Sequence, residues 1–205
     1  MLTNSLTLAE IKNPDDDLFL PWLDLFETSM PASEKMLVSY FLRLLKDKKE
    51  GMARLEYLFA ALDQNNEFLG LTHYQLVDDK KLAWLWYIAI VPALRNKGWG
   101  GKLYQAVVSK VNTSRALFFE VEIPEIQDGI DKSEIARRRM EFYRRQGARL
   151  LRGIHYMQHV GPHQEPIPMH IMVHTFQPAN EQVIFDWAKV IFQDDLTQID
   201  ALSLF

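Results

Sequence analysis

The chain has 205 residues, a net charge of −4, 48% hydrophobic and 24% charged residues, and no cysteine. Such a composition suits one well-buried soluble globular domain, and the acidic balance argues against a general nucleic-acid-binding surface. The missing cysteines exclude disulfides, thiolate–metal sites and a cysteine nucleophile together, and no run of about 18 apolar residues offers a membrane span.

The opening MLTNSLTLAE lacks the basic and long apolar regions of a secretory leader, so a cytoplasmic protein is expected. Leu6 to Lys12 reads as a short strand. Pro14 with Asp15, Asp16 and Asp17 then opens a predicted helix, whose apolar positions are Leu18, Phe19, Trp22, Leu25 and Phe26. Ser33 is the expected cap of a second helix with the stripe Met36, Leu37, Tyr40, Phe41, Leu44 and Leu45.

The period then changes. Arg54–Leu62 and Glu67–Val77 flank Gln64-Asn65-Asn66 and read as a hairpin. Leu82–Val91, LAWLWYIAIV, is almost continuously apolar, the mark of a strand covered on both faces. Leu103, Ala106, Val107 and Val111 form the stripe of a following helix, and Ala116–Glu122 reads as another buried strand. A helix is predicted from about Ser133 to Gln146, ended by Gly147, then strands over Ala148–His159 and Met169–Phe176. The last element is an amphipathic helix over Glu181–Phe192. The expectation is α/β architecture with a mixed central sheet and helices on both faces. Residues 1–205 form one domain with a helical extension from about 179.

Between the apolar strand and its helix lies VPALRNKGWGGKLYQ, which holds three of the nine glycines within four residues, beside Arg95, Lys97 and Lys102. Glycine admits sharp turns and close ligand approach, and the cations suggest an anion. A phosphate-binding P-loop fails at Asn96 and Leu103. A dinucleotide loop matches Gly98 and Gly100 but has Leu103 in its third place, although Glu120 follows at a suitable spacing. The pattern Arg/Gln-x-x-Gly-x-Gly/Ala after Val-Pro is met by Arg95, Gly98 and Gly100.

Here the sequence resembles the GNAT superfamily of N-acetyltransferases. Phe142-Tyr143 followed by Gly147 is similar to a second stretch of that family. The resemblance extends over most of the chain, weakening in its first and last thirty residues. It implies acetyl-CoA as cosubstrate, with its pyrophosphate held by the backbone of Asn96, Lys97, Gly98, Trp99, Gly100, Gly101 and Lys102 at a helix N-terminus, and Arg95 alongside. It also implies a carbonyl-polarising N–H near Ile90 or Val91 and a proton-donating phenol at Tyr143. The family's usual carboxylate near Trp86 and Tyr87 is missing. Glu120 and Glu122, which alternation puts on one strand face, are the replacement candidates for the base. Arg139 either reaches coenzyme A or a substrate carboxylate, or snorkels past Ile135, Phe142 and Tyr143 to water. Arg137, Arg138, Arg144 and Arg145 read as a solvated face.

Direct transfer to an amine in a ternary complex is therefore expected, the acceptor being a small molecule or a peptide. A coenzyme A-binding module without catalysis and a nucleotide-binding oxidoreductase are the alternatives. No metal is expected. His170 and His174 stand too far apart along a strand to chelate, and His155, His159 and His163 show no ligand motif. No nucleic-acid or membrane partner is expected, and a homodimer is a possible assembly.

Overall fold

The computed structural model describes residues 5–52, 55–79, 81–159 and 165–205. Its elements are β1 (Thr7–Ile11), α1 (Phe19–Ser29), α2 (Val38–Lys49), β2 (Glu56–Leu62), β3 (Phe68–Val77), β4 (Leu82–Ile90), α3 (Trp99–Val111), β5 (Ala116–Glu122), α4 (Ile130–Arg145), β6 (Arg149–Gln158), β7 (Ile167–Thr175), α5 (Glu181–Phe192) and β8 (Leu196–Leu204). The strands follow the order β1-β2-β3-β4-β5-β7-β6-β8. β4 and β5 run parallel, while β1/β2, β2/β3, β5/β7, β6/β7 and β6/β8 are antiparallel. The sheet is thus mixed, as the alternation of strand and helix patterns implies.

The chain divides into two compact units, 1–75 with 85–110 and 76–84 with 111–205. In the first, two cores lie apart: alternation sorts the residues of β2, and a register shift between Ala61 and Leu62 lets Leu69 and Leu71 of β3 enter different cores. Leu58, Ala60 and Leu71 meet Trp22 and Phe26 of α1 and Phe41 and Leu45 of α2. Ala61, Leu69 and Ile90 meet Trp99 and Leu103 of α3 on the other face. In the second unit, Phe118, Leu151 and Ile171 pack against Ile184, Trp187, Ile191 and Phe192 of α5. On β5's opposite face the Phe119 ring lies 4.5 Å from that of Tyr143 in α4.

Several boundaries differ from the sequence expectation. α1 begins at Phe19, not at the aspartates, and has no acid in its first turn. Asp16 instead closes the preceding turn, its Oδ1 accepting from Leu18 N at 3.0 Å and its carbonyl from Phe19 N at 2.9 Å. Ser33 caps nothing: it sits in a single 3₁₀ turn, Ala32–Glu34, and α2 starts after Leu37. Leu37 is correspondingly exposed rather than part of the stripe. α4 starts at Ile130, and Gly147 ends it as expected, at φ +95°. There Ala148 N donates to Tyr143 O and Gly147 N to Arg144 O, closing the last turn with a left-handed glycine. The C-terminal extension is not wholly helical, since β8 follows α5 and pairs with β6. Arg54 and His163 lie outside the described residues. Among the described residues no helix is long and apolar enough to cross a membrane.

Candidate active site

The glycine loop belongs to the first unit. After β4, Pro92–Leu94 makes one 3₁₀ turn, and Asn96 (φ +61°) and Gly98 (φ +84°) take left-handed conformations that reverse the chain into α3. A Cβ on Gly98 would meet no atom, so this glycine serves the backbone angle alone. Gly100 and Gly101 are different. They are the second and third residues of α3, and their φ angles are not positive. Helical geometry does not require glycine there, and each costs roughly 1 kcal/mol relative to alanine. What they provide is bare backbone at the helix start, where N–H groups lack intrahelical acceptors and the helix dipole is positive.

The neighbouring side chains divide their labour. Trp99 is buried, packed with Leu103 and Ile90, so only its backbone can face a ligand. Lys102 Nζ sits 4.7 Å from the centre of the Trp99 ring. Lys97 is exposed. Arg95 turns back to its own unit: Nε donates to Ile90 O at 3.1 Å and Nη2 to Ser29 Oγ at 3.1 Å. It braces the loop against the ends of β4 and α1. Val91 N donates to Leu69 O at 2.9 Å, which removes it as a donor to substrate. Ile90, one residue earlier, directs its N–H to the opposite edge of β4 by the alternation of extended backbone.

β4 carries no carboxylate, and Trp86 and Tyr87 pack among aromatic and polar neighbours instead. Tyr87 OH donates to Glu34 O at 2.7 Å and accepts from Met36 N at 3.1 Å, pinning the α1–α2 connection. Trp86 and Tyr87 flank His73, with ring centroids 6.1 and 5.9 Å away. His73 is fully buried; its Nε2 lies 3.3 Å from Glu56 Oε2, and burial holds its pKa below the ordinary value.

The second unit carries the remaining candidates. Tyr143 is buried on Phe119, and its phenol pKa is pushed up to about 12, chiefly by burial; Arg139 opposes that rise and Glu122 adds to it. Arg139 Nη1 donates to Glu122 Oε1. Its other expected neighbour, Ile135, is exposed, so Arg139 is no apolar-face residue but the partner of a carboxylate. Glu122 Oε2 is buried and accepts no hydrogen bond. Glu120 is arranged differently: Tyr156 OH donates to Oε1 and Gln158 Nε2 to Oε2 at 2.6 Å. Burial first, then Glu120, holds the Tyr156 phenol far above its ordinary pKa. Both oxygens of Glu120 are thus engaged by donors from β6. Tyr156 and Gln158 carry no sequence signal of this role; only the β5-β7-β6 order brings them to Glu120.

Other groups play lesser parts. Arg138, Arg144 and Arg145 pair along α4 with Glu134 and Glu141, as a solvated face would. His170 and His174 stand opposite Val121 and Leu117 along β7. Among the described residues no three histidine, aspartate or glutamate side chains group to hold a metal.

The model of the acetyltransferase (GNAT) family matches residues 21–127, and the chain belongs to that family. A protein from Bacteroides thetaiotaomicron assigned to the GNAT acetyltransferases has a similar structure, with TM-score 0.72, 20% identity, and 91% of this chain and 98% of the other covered. A spermidine N-acetyltransferase from Vibrio cholerae, solved with CoA and spermine, gives TM-score 0.59 at 15% identity, over 83% of this chain and 95% of the other. Among curated proteins, none matches the sequence. The fold is that of the acetyltransferases, which argues against the dinucleotide-binding alternative.

Proposed function

We propose that the chain is an N-acetyltransferase that moves an acetyl group from acetyl-CoA to a primary amine by direct transfer. The observation that carries this reading is the pair Gly100-Gly101 in the first turn of α3, where helical geometry asks for no glycine and an anion gains most from close approach. The N–H groups of this turn would hold the pyrophosphate, with Lys97 and Lys102 supplying positive charge nearby. Arg95 acts by holding the loop's shape. Ile90 N–H, not that of Val91, is the donor for the thioester oxygen.

The acceptor nitrogen, once neutral, attacks the thioester carbon. The C–N bond forms, the C–S bond breaks, the nitrogen's surplus proton leaves to a carboxylate, and the departing thiolate takes a proton from a phenol. Glu122 is the proposed proton acceptor, because its buried Oε2 accepts no hydrogen bond while Arg139 steadies the other oxygen. Tyr143 is the proposed donor. Its raised pKa guarantees that it is protonated at neutral pH, and the Arg139 charge keeps it from becoming a still weaker acid.

Calorimetric titration with acetyl-CoA, with NAD as control, tests the reading. One-site binding of acetyl-CoA alone is expected, weakened by Gly100→Leu in a protein that keeps its fold. Absence of acetyl-CoA binding to folded wild type would overturn it. Binding without transfer to any amine would instead identify a coenzyme A-binding module.

A further inference from the structure

One end of the second unit's sheet collects buried hydrogen-bond acceptors that no described residue satisfies. Glu120 and Glu122 leave the same face of β5, an i, i+2 pair about 7 Å apart along the strand. Gln158 reaches Glu120 from β6 and is itself 7% exposed. Its Nε2 is fixed by Glu120 Oε2, which turns Oε1 away as an acceptor. That Oε1 is buried with no partner, and so is Glu122 Oε2. A buried acceptor left unsatisfied costs stability, so Gln158 Oε1, on a side chain bonded to Glu120, and Glu122 Oε2, two residues further along β5, call for a donor from outside the described residues. The cluster's own donors are already engaged, Tyr156 OH and Gln158 Nε2 on Glu120, and Arg139 on Glu122. The Asp195 charge also bears on Tyr156, so the surroundings are negative.

A ligand that suits this set brings several N–H donors, a positive charge and no acceptor of its own. A protonated primary amine has all three properties. With Arg139 already paired to Glu122, a carboxylate or phosphate would meet acceptors and like charge at these two atoms, and a carbonyl would leave both unsatisfied.

We propose that Gln158 Oε1, backed by Glu120, binds a second, protonated amino group of the acceptor substrate while Glu122 receives the reacting one, so that the acceptor is a di- or polyamine rather than a monoamine or an amino acid. This deepens the acetyltransferase reading and rests on it for the word substrate. Gln158 contributes to substrate selection, and the ammonium it holds is not the one acetylated.

Putrescine and butylamine, the same carbon chain with two amino groups or one, are the probes. Thiol release from acetyl-CoA gives kcat and KM for each, and calorimetry gives the affinity for putrescine and, separately, for acetyl-CoA. Putrescine is expected to be preferred in kcat/KM by roughly tenfold or more, the size of one charge-assisted hydrogen bond. Gln158→Met should abolish most of that preference through KM while acetyl-CoA affinity stays at the wild-type value. Gln158→Lys, which builds an ammonium into the cluster, should fold with an undiminished Tm and lose putrescine binding. Equal use of the two amines, or a preference that survives Gln158→Met, would overturn the proposal. If acetyl-CoA binds and no amine reacts, putrescine binding sensitive to Gln158→Lys still supports the site, and no putrescine binding overturns it. Failure of acetyl-CoA to bind with putrescine binding intact would instead sink the acetyltransferase reading and leave the amine site standing.

Discussion

At the scale of single residues, Tyr143 and His73 show how burial decides protonation. Tyr143→Phe keeps the packing on Phe119 and removes only the hydroxyl. A kcat lower by about 10²-fold is expected, with acetyl-CoA affinity unchanged, since a general acid contributes on that order. With the phenol pKa at about 12, the wild-type profile should show no Tyr143-dependent fall in kcat below about pH 11. A fall near pH 9 that vanishes in Tyr143→Phe would refute this assignment. His73 behaves in the opposite sense. Burial lowers its folded pKa below 6.5, and the opposing pull of Glu56 does not restore it. Both states are neutral above that pH, so the full stability is present there. As pH falls through 6.5 the unfolded chain takes up the proton first, and stability drops by up to about 1.4 kcal/mol per pH unit. His170 and His174, whose pKa values burial also lowers, add to the slope, so thermal melts between pH 7.5 and 5.5 should show it and His73→Phe should reduce it without abolishing it.

At the scale of elements, what was legible in the sequence is what periodicity and glycine encode. β5 and α5 have the boundaries their patterns give, and the Gly147 stop closes α4 as its position implies. Capping was less readable, because a side chain caps only if the chain arrives at the right angle. Ser33 and Asp15–Asp17 are good capping residues spent on turns. Asn180, unremarked in the sequence, accepts from Val183 N at 2.9 Å and starts α5. Asn180→Ala should cost about 1 kcal/mol, read as a lower midpoint in urea at constant slope. β8 was missed for a different reason. Its residues are exposed along most of its length, so no two-residue hydrophobic period marks it. Its place is set by β6, whose Gly153 sits at φ +81° where a Cβ would lie 2.4 Å from Ala201 O. The glycine loop was recognised, yet its division into Gly98 for the turn and Gly100-Gly101 for open backbone needed dihedral angles. The inward turn of Trp99 and the engagement of Val91 N needed coordinates too.

At the scale of the whole molecule, the two units share strands. Leu82–Trp84 of β4 ladder with Ala116–Phe118 in one unit, while Leu85–Ile90 continue the same strand in the other. The division thus falls inside a strand and not in a linker, the place where independent domains part. A single cooperative thermal transition is therefore expected for all 205 residues. A ligand that binds the glycine loop must then move that entire transition, although the loop lies in the first unit alone. At acetyl-CoA about 100-fold above its Kd the gain is about 2.7 kcal/mol, which for a chain of this size raises Tm by about 5–10 °C. Gly100→Leu should abolish the shift while leaving the unliganded Tm equal or slightly higher, because leucine is the better helix former. Two transitions, only the lower or the upper moving with acetyl-CoA, would show that the units unfold independently and that β4 does not couple them.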